Sequence, residues 1–135
     1  MKIIKSKFAN VKVAILDLNK DSRGVFFEIF NKNKYKKYPL IEKSFAQSNI
    51  SISKKNVLRG LHYQIKYPQS QLVTIIEGEL FYVIVDVRLN SKTFLKWESF
   101  ELSSKKINQI FNAAFNHFFI WALIKSNFFF KIFFT

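Results

Sequence analysis

ELFYVIVDVR, residues 79–88, alternates with a period of two and predicts a β-strand. One face is uniformly apolar and consists of Phe81, Val83, Val85 and Val87. The other face mixes apolar and polar side chains: Tyr82, Ile84, Asp86 and Arg88. Such a mixed face is typical of the lining of a small ligand-binding barrel. It is equally typical of a sheet whose outer face meets water, so this strand alone leaves both interpretations open.

Short β-prone runs separated by polar turns extend along the whole chain. Besides 79–88 they are VKVAIL (11–16), GVFFEIF (24–30), SFAQSNISI (44–52), NVLRGLHY (56–63), QLVTIIEG (71–78), TFLKWESFEL (93–102), INQIF (107–111), FNHFFIWALI (115–124) and FFFKIFF (128–134). Helical periodicity is hard to find. The pattern predicts an all-β sandwich or barrel. The 135 residues fit one domain, and no internal repeat or linker is visible.

The net charge of +13 has two explanations. A lysine-rich composition accounts for it without any function, and an anionic partner, either nucleic acid or a phosphorylated small molecule, accounts for it as well. The lysines cluster at 32–38 and 53–55, in predicted loops. Because no groove-reading helix and no aromatic RNA-binding strand accompanies them, we do not expect nucleic acid.

Composition and the first residues bound the location of the protein. Cysteine is absent, which excludes a disulfide framework and a thiolate metal site. The start, MKIIKSKFANVKVAIL, has scattered lysines and no long apolar segment, so we expect no secretory signal. The least polar stretch, 118–124, is far shorter than the roughly 20 residues of a membrane helix. These features predict a soluble, cytoplasmic protein without membrane contact.

RGLHYQ, residues 59–64, places an arginine and a histidine three residues apart in a strand-like segment. Regular alternation puts Arg59 on one face of the strand and His62 on the other. Either the pair lies by chance on a solvated strand, or a bend at Gly60 turns both side chains into one site. A lone histidine is more often structural than catalytic, so these residues alone favour the first interpretation.

Five segments of the chain carry a family resemblance. They are SRGVFFEIFN (22–31), FAQSNISISKKNVLRGLHYQ (45–64), PQSQLV (68–73), EGELFYVIVDVRLNSKTFLKW (77–97) and AAFNHFF (113–119). In this order they resemble the dTDP-4-dehydrorhamnose 3,5-epimerases, which are cupin-fold enzymes of dTDP-rhamnose synthesis. The resemblance covers essentially the whole chain. It implies a cupin-type jelly-roll β-barrel over residues 1–135. It also favours the second interpretation of RGLHYQ, in which Arg59 and His62 serve one site.

The resemblance implies epimerisation at C3 and C5 of dTDP-4-dehydro-6-deoxyglucose, which gives dTDP-4-dehydrorhamnose. The 4-keto group acidifies the neighbouring C–H bonds, so the reaction is deprotonation to an enolate and reprotonation from the other face. By resemblance His62 is the general base, a role that suits imidazole because its unperturbed pKa lies near neutrality. Arg59 would bind the sugar nucleotide, since its planar fork matches phosphate oxygens.

Further positions match substrate-binding positions of the family. They are Arg23, Glu28, Gln47, Ser48, Asn49, Gln71 and His117. Each has a simpler alternative as a surface charge or a turn residue. We expect neither a metal nor another cofactor, because residue 64 is glutamine where many cupins have a second histidine ligand.

The chain departs from the family pattern in its last quarter. Gln71 replaces the lysine that helps to stabilise the enolate, and Phe130 stands at the position of the catalytic acid, a tyrosine. The loop around His117 has lost the family's prolines and glycines. Family members also extend further, and that part holds the carboxylate that orients the base; we expect it to be lacking here. Tyr82, where the family has aspartate, would supply the missing hydroxyl only if its face lines the barrel; a space-filling aromatic is the simpler interpretation.

We therefore expect a dTDP-sugar epimerase that forms a homodimer, because family members pair and the aromatic-rich end needs to be covered. A catalytically impaired nucleotide-sugar-binding homologue and a single-carbon epimerase are the nearest alternatives. A basic nucleic-acid-binding barrel is a third.

Overall fold

The computed structural model describes residues 1–38, 45–64, 66–67, 69–113, 118–126 and 128–134. In chain order these form β1 (Lys2–Lys5), β2 (Val11–Ile15), β3 (Asn19–Asp21), β4 (Gly24–Phe26), α1 (Lys32–Tyr35), β5 (Gln47–Ser53), β6 (Leu58–His62), β7 (Gln71–Glu77), β8 (Glu79–Asp86), β9 (Trp97–Ser103), β10 (Asn108–Asn112), β11 (Phe118–Ile124) and β12 (Phe128–Phe134). The all-β prediction is confirmed. Over these same ranges, no helix has the length and apolarity needed to cross a bilayer.

Two antiparallel sheets enclose the core. The first has the order β1-β2-β10-β7-β12-β5, and the second has the order β6-β11-β8-β9. The main hydrophobic cluster draws residues from both sheets, among them Val73, Ile110, Leu80, Ile84 and Leu102. It is therefore the layer between two packed sheets. The strands β3 and β4 pair with each other in a separate hairpin.

The strand β8 turns its mixed face inward. Leu80, Tyr82, Ile84 and Asp86 are all buried, and the first three belong to the main cluster. This excludes the interpretation in which the mixed face meets water. The hydroxyl of Tyr82 has no hydrogen-bond partner within the described ranges, and burial raises the pKa of this phenol. Tyr82 therefore fills space in the core.

The predicted runs agree with the strands, except that two runs begin well before or end well after the strand that each overlaps. The run 24–30 is a strand only as far as Phe26, because Asn31 begins helix α1 shortly afterwards. The side chain of Asn31 accepts hydrogen bonds from the backbone N–H groups of Asn33 and Lys34, as a helix N-cap does. The run 93–102 begins as a strand only at Trp97. Strands β1 and β3 and helix α1 were not predicted.

A buried glutamine attaches the helical segment to the back of the first sheet. Gln109, on β10, donates from its side-chain amide to the carbonyl of Ile29 and to Thr74 Oγ1, at 2.6 Å each. Its carbonyl oxygen accepts a hydrogen bond from the hydroxyl of Tyr35. Around this link Tyr35 packs with Leu72 and other residues of a second hydrophobic cluster. The segment that carries Glu28 is thereby fixed to the sheet.

The buried carboxylate of Asp86 organises the connection from β8 to β9. Arg88 donates to its two oxygens from Nε at 2.7 Å and from Nη2 at 2.6 Å, and Ser91 and Thr93 donate through their hydroxyls. Burial alone would raise the pKa of Asp86, but these hydrogen bonds outweigh it and hold the pKa well below the usual range. The network shapes the turn at 92–95, because the buried carboxylate of Asp86 binds the side chains of Arg88 and Ser91 before the turn and of Thr93 within it.

Replacing Asp86 by alanine is expected to lower the free energy of unfolding at pH 7 by about 3 kcal/mol, because the change leaves buried donors and Arg88 without their partner. Since the folded pKa is depressed, this stabilisation is complete above the unfolded pKa of about 3.9 and is lost as the pH falls towards the folded value. Urea unfolding at pH 7 and pH 3 measures both effects.

The matched control is Glu101→Ala, which removes an exposed carboxylate paired with Lys125. It is expected to change stability by less than about 1 kcal/mol. Equal losses for the two variants, or an Asp86→Ala loss that does not shrink at pH 3, would contradict the role given to the network.

Candidate functional site

The edge strand β5 presents polar residues to the interior and apolar residues to solvent. Asn49 is in register with Ile132 and Val73, and Val73 belongs to the core, so this side of β5 faces inward. The inward set on the strand is Gln47, Asn49, Ser51 and Ser53. On the outer side Ile50 and Ile52 are 59% and 76% exposed. This polarity is the reverse of that expected for a core-forming strand, and it indicates a polar cavity between the sheets.

Two of the predicted site residues on β5 contact each other, whereas a third lies apart. Gln47 donates from Nε2 to Asn49 Oδ1 at 3.0 Å, which confirms that both lie on one face. Ser48 lies on the opposite face, in register with Leu72 of the second hydrophobic cluster. The structure therefore brings Gln47 and Asn49 together and separates Ser48 from them.

A bulge in β6 brings Arg59 and His62 to the same face. Arg59 is in register with Ala122 and His62 with Ile120, so three steps along β6 match two steps along β11. Ala122 and Ile120 in turn lie opposite Tyr82 and Ile84, which are core residues of β8. Both Arg59 and His62 therefore belong to the inner side of the sheet. This is the second of the two interpretations that regular alternation left open.

Gly60 supplies the backbone conformation of the bulge. Its φ is 143°, a region that residues with a Cβ atom rarely adopt. The outward residues on either side, Leu58 and Leu61, are 54% and 66% exposed. The strand β6 thus repeats the reversed polarity of β5, with Arg59 and His62 inside and leucines outside.

The guanidinium of Arg59 is held by the neighbouring edge strand. Its Nε donates to Ser53 Oγ at 2.9 Å, and Ser53 is only 7% exposed. The arginine itself is exposed, as is His62. A charged group that is fixed at one nitrogen and open to solvent at the others is suited to bind an anion.

Amide groups continue the polar inner surface across the first sheet. Gln71 lies on the same face of β7 as Val73 and is in register with Asn112 of β10. Asn112 is buried, and its Oδ1 has no partner among the described residues. Sequence reasoning missed Asn112, although extending the alternation of the INQIF run by one residue would have placed it on the inner face with Ile110.

Arg23 and Glu28 lie outside this inner surface. Arg23 is an exposed residue of the β3–β4 hairpin and pairs with Asp21 at 2.7 Å. Glu28 pairs with Lys34 at 2.9 Å and accepts a hydrogen bond from Asn31, and these contacts lower its pKa. Within the part of the chain that the structure describes, no hydrogen bond or ion pair joins either residue to Arg59 or His62. Over the described ranges, Arg23 and Glu28 therefore lie apart from Arg59 and His62.

Two further predicted positions are His117 and Phe130. His117 lies outside the described residues. Phe130 lies in β12, where its backbone is in register with Ser51 on one side and Ile75 on the other. No three histidine, cysteine, aspartate or glutamate side chains gather to hold a metal in the described ranges. The absence of a metal or cofactor remains a prediction.

Replacing Gly60 by alanine is expected to lower the free energy of unfolding by about 1–3 kcal/mol, because the added Cβ strains the backbone at this φ. Urea denaturation measures the loss, with Ser99→Ala as control at an exposed strand position where changes stay within about 0.5 kcal/mol. A Gly60→Ala protein as stable as the original would show that the bulge does not need glycine.

Comparison with known proteins identifies the family of this chain. The family model described as dTDP-4-dehydrorhamnose 3,5-epimerase matches residues 5–132. Among curated proteins, the epimerase of Shigella flexneri is 40% identical over 111 residues, which is 82% of this chain and 61% of that protein. The epimerase of Escherichia coli K12 is 40% identical over 114 residues, 82% of this chain and 60% of that protein. The chain thus spans about three fifths of the length of these relatives.

A solved structure extends the similarity to the fold. The dTDP-6-deoxy-D-glucose-3,5-epimerase of Legionella pneumophila, solved in complex with dTDP-4-keto-L-rhamnose, superposes with a TM-score of 0.92 at 35% identity. The match covers 99% of this chain and 71% of that one. The predicted cupin-type β-barrel is thereby confirmed, and the chain belongs to the dTDP-4-dehydrorhamnose 3,5-epimerase family.

Proposed function

We propose that this chain epimerises C3 and C5 of dTDP-4-dehydro-6-deoxyglucose to give dTDP-4-dehydrorhamnose. The observation that carries the proposal is the β6 bulge, which puts His62 and Arg59 on one inner face beside the polar side of β5. A base and an anion-binding group on one face suit a substrate in which an acidic C–H bond and a diphosphate belong to the same molecule. The support from relatives is that the Legionella pneumophila structure contains dTDP-4-keto-L-rhamnose.

In the proposed mechanism His62 removes a proton from C3 or C5, the two carbons next to the 4-keto group. The negative charge passes to the keto oxygen, where Gln71 donates a hydrogen bond from its amide without supplying a positive charge. Arg59 binds the diphosphate through its terminal nitrogens. Gln47 and Asn49 supply amide donors and acceptors to the sugar nucleotide.

The return of the proton is the step in which this chain differs from the family pattern. Phe130 has no proton to give, and Tyr82 is buried in the core with a raised pKa. We therefore propose that solvent reprotonates the enolate, since His62 and Arg59 are both exposed. Proton exchange at C3 and C5 is then faster than inversion of configuration.

Proton NMR in D2O tests the proposal directly. With dTDP-4-dehydro-6-deoxyglucose, the C3 and C5 signals are expected to decay faster than without enzyme, and His62→Ala is expected to lower that rate by about 10²-fold or more, the typical contribution of a general base. Binding of dTDP to His62→Ala, measured by calorimetry, is the control for an intact site. Full exchange activity in this variant would remove His62 from the mechanism.

The same experiment separates the alternatives. Binding of dTDP without any exchange identifies a nucleotide-sugar-binding homologue. Exchange at C3 alone or C5 alone identifies a single-carbon epimerase. Weak dTDP binding together with nucleic-acid binding that falls steeply with salt would favour the basic barrel.

We propose further that the protein is a cytoplasmic homodimer acting in polysaccharide biosynthesis. The outer sides of the edge strands β5 and β6 both carry exposed apolar residues: Ile50 and Ile52 on β5, and Leu58 and Leu61 on β6. A second copy would cover these residues, and the β3–β4 hairpin of one copy would then bring Arg23 towards the site of the other. The cytoplasmic location is supported by the proposed substrate, because nucleoside diphosphate sugars are metabolites of that compartment.

Introducing a lysine at Ile52 is expected to convert the dimer into monomers, because the change buries an unpaired charge in the interface. Light scattering after size exclusion gives the molar mass. Leu89→Lys is the control, since Leu89 is as exposed but lies on the β8–β9 connection. A wild-type protein that is monomeric at all concentrations, or an Ile52→Lys protein that stays dimeric, would contradict the proposed interface.

A further inference from the structure

Ser53 and Arg59 form a contact between two edge strands that belong to different sheets. Ser53 is the last residue of β5, at the edge of the first sheet, and Arg59 is the second residue of β6, at the edge of the second sheet. The bond from Arg59 Nε to Ser53 Oγ is 2.9 Å long. It therefore bridges the open side of the barrel at the point where the two polar inner faces meet.

Backbone hydrogen bonds hold the turn between Ser53 and Arg59 in place. In the turn between the two strands, the N–H of Asn56 donates to the carbonyl of Ile124 at 2.9 Å, and the N–H of Ile124 donates to the carbonyl of Val57 at 3.0 Å. Asn56 takes a left-handed conformation with φ of 66°, which asparagine tolerates. Because Ile124 is fully buried in the core, the turn is fixed to a rigid part of the fold.

The contact with Ser53 uses one N–H group of Arg59 and leaves the other N–H groups for a ligand. An arginine side chain carries five N–H donors, of which Nε supplies one. With Nε bound to a serine hydroxyl, the two terminal nitrogens remain as a fork with a fixed direction. Such a fork matches two oxygens of a phosphate or diphosphate group.

We propose that Ser53 is a positioning residue for Arg59, which it orients towards the diphosphate of the substrate. This inference rests on the proposed function, because it assumes that Arg59 binds that group. Ser53 does not contact the reacting carbons. It acts by holding a long, flexible side chain in its binding orientation before the ligand arrives, so that less conformational freedom is lost on binding.

Removing the hydroxyl is expected to weaken ligand binding and to leave the chemical step unchanged. Ser53→Ala should raise the dissociation constant of dTDP, and the KM for the dTDP-sugar, by about threefold to tenfold, the cost of ordering one long side chain. The value of kcat should change by less than about twofold, because His62 is untouched. Ser53→Thr, which keeps the hydroxyl, should restore binding to near the original value.

A double-mutant cycle tests the direct coupling of the two side chains. Arg59→Lys keeps a positive charge but removes Nε and its hydrogen bond to Ser53. In that background Ser53→Ala is expected to change the dTDP dissociation constant by less than about twofold, because the interaction is already absent. Ser99→Ala, at an exposed position on β9, is the control for a serine that should have no effect in either background.

The outcomes separate this inference from the proposed function. If the original protein does not bind dTDP at all, the proposed function fails. If it binds dTDP but Ser53→Ala binds equally well, or if the losses from Ser53→Ala and Arg59→Lys simply add, the positioning role is wrong while the proposed function stands. A loss of binding that is absent in the Arg59→Lys background and restored by threonine supports the inference.

Discussion

The extra residue in β6 between Arg59 and His62 is the constraint on which the functional side of this molecule depends. A regular strand would send one of the two side chains into the barrel and the other into solvent. The neighbouring strand β11 is fully regular against β8, so it serves as a fixed reference that shows where β6 departs from alternation. The backbone conformation of Gly60 at this bulge thereby brings Arg59 and His62 to the same face of the sheet.

Stability and ligand binding are divided between different parts of the same two sheets. The central strands β7, β8 and β10 supply buried apolar residues, and two of their buried polar side chains, Asp86 and Gln109, each make several hydrogen bonds. The edge strands β5 and β6 have the reverse polarity, with polar groups inside and apolar groups outside. The core therefore carries the folding energy, and the edges are free to place hydrophilic groups in the interior at little cost to that core.

Each of the ten predicted runs overlaps a strand, because alternation is a local property. The sequence did not predict the inward direction of β8, since Tyr82 and Asp86 suit a solvated face as well as a buried one. It could not place Arg59 and His62 together, because a bulge changes the register and leaves no mark in the hydrophobic pattern except Gly60. The short helix was missed for a related reason: it depends on Asn31 as a cap and on a contact between Tyr35 and Gln109, which is distant in the sequence. The sequence also did not predict that Arg23 and Glu28 pair with Asp21 and Lys34, because local alternation does not encode which charged side chains meet.

In the mechanism proposed above, the exposure of His62 determines how the enolate is reprotonated. Deprotonation needs a neutral imidazole near the acidic C–H bond, and His62 is able to provide it from the edge of the barrel. Inversion needs more, because the new proton must arrive from the opposite face. A fixed tyrosine would impose that direction, whereas Phe130 has no proton to supply, and water approaches from whichever side is open. Stereochemical control would then depend on which face of the enolate the protein leaves open to water when the diphosphate is held firmly. The proposed anchoring of Arg59 by Ser53 would hold the sugar in one orientation towards water, and it would leave the rate of deprotonation by His62 unchanged.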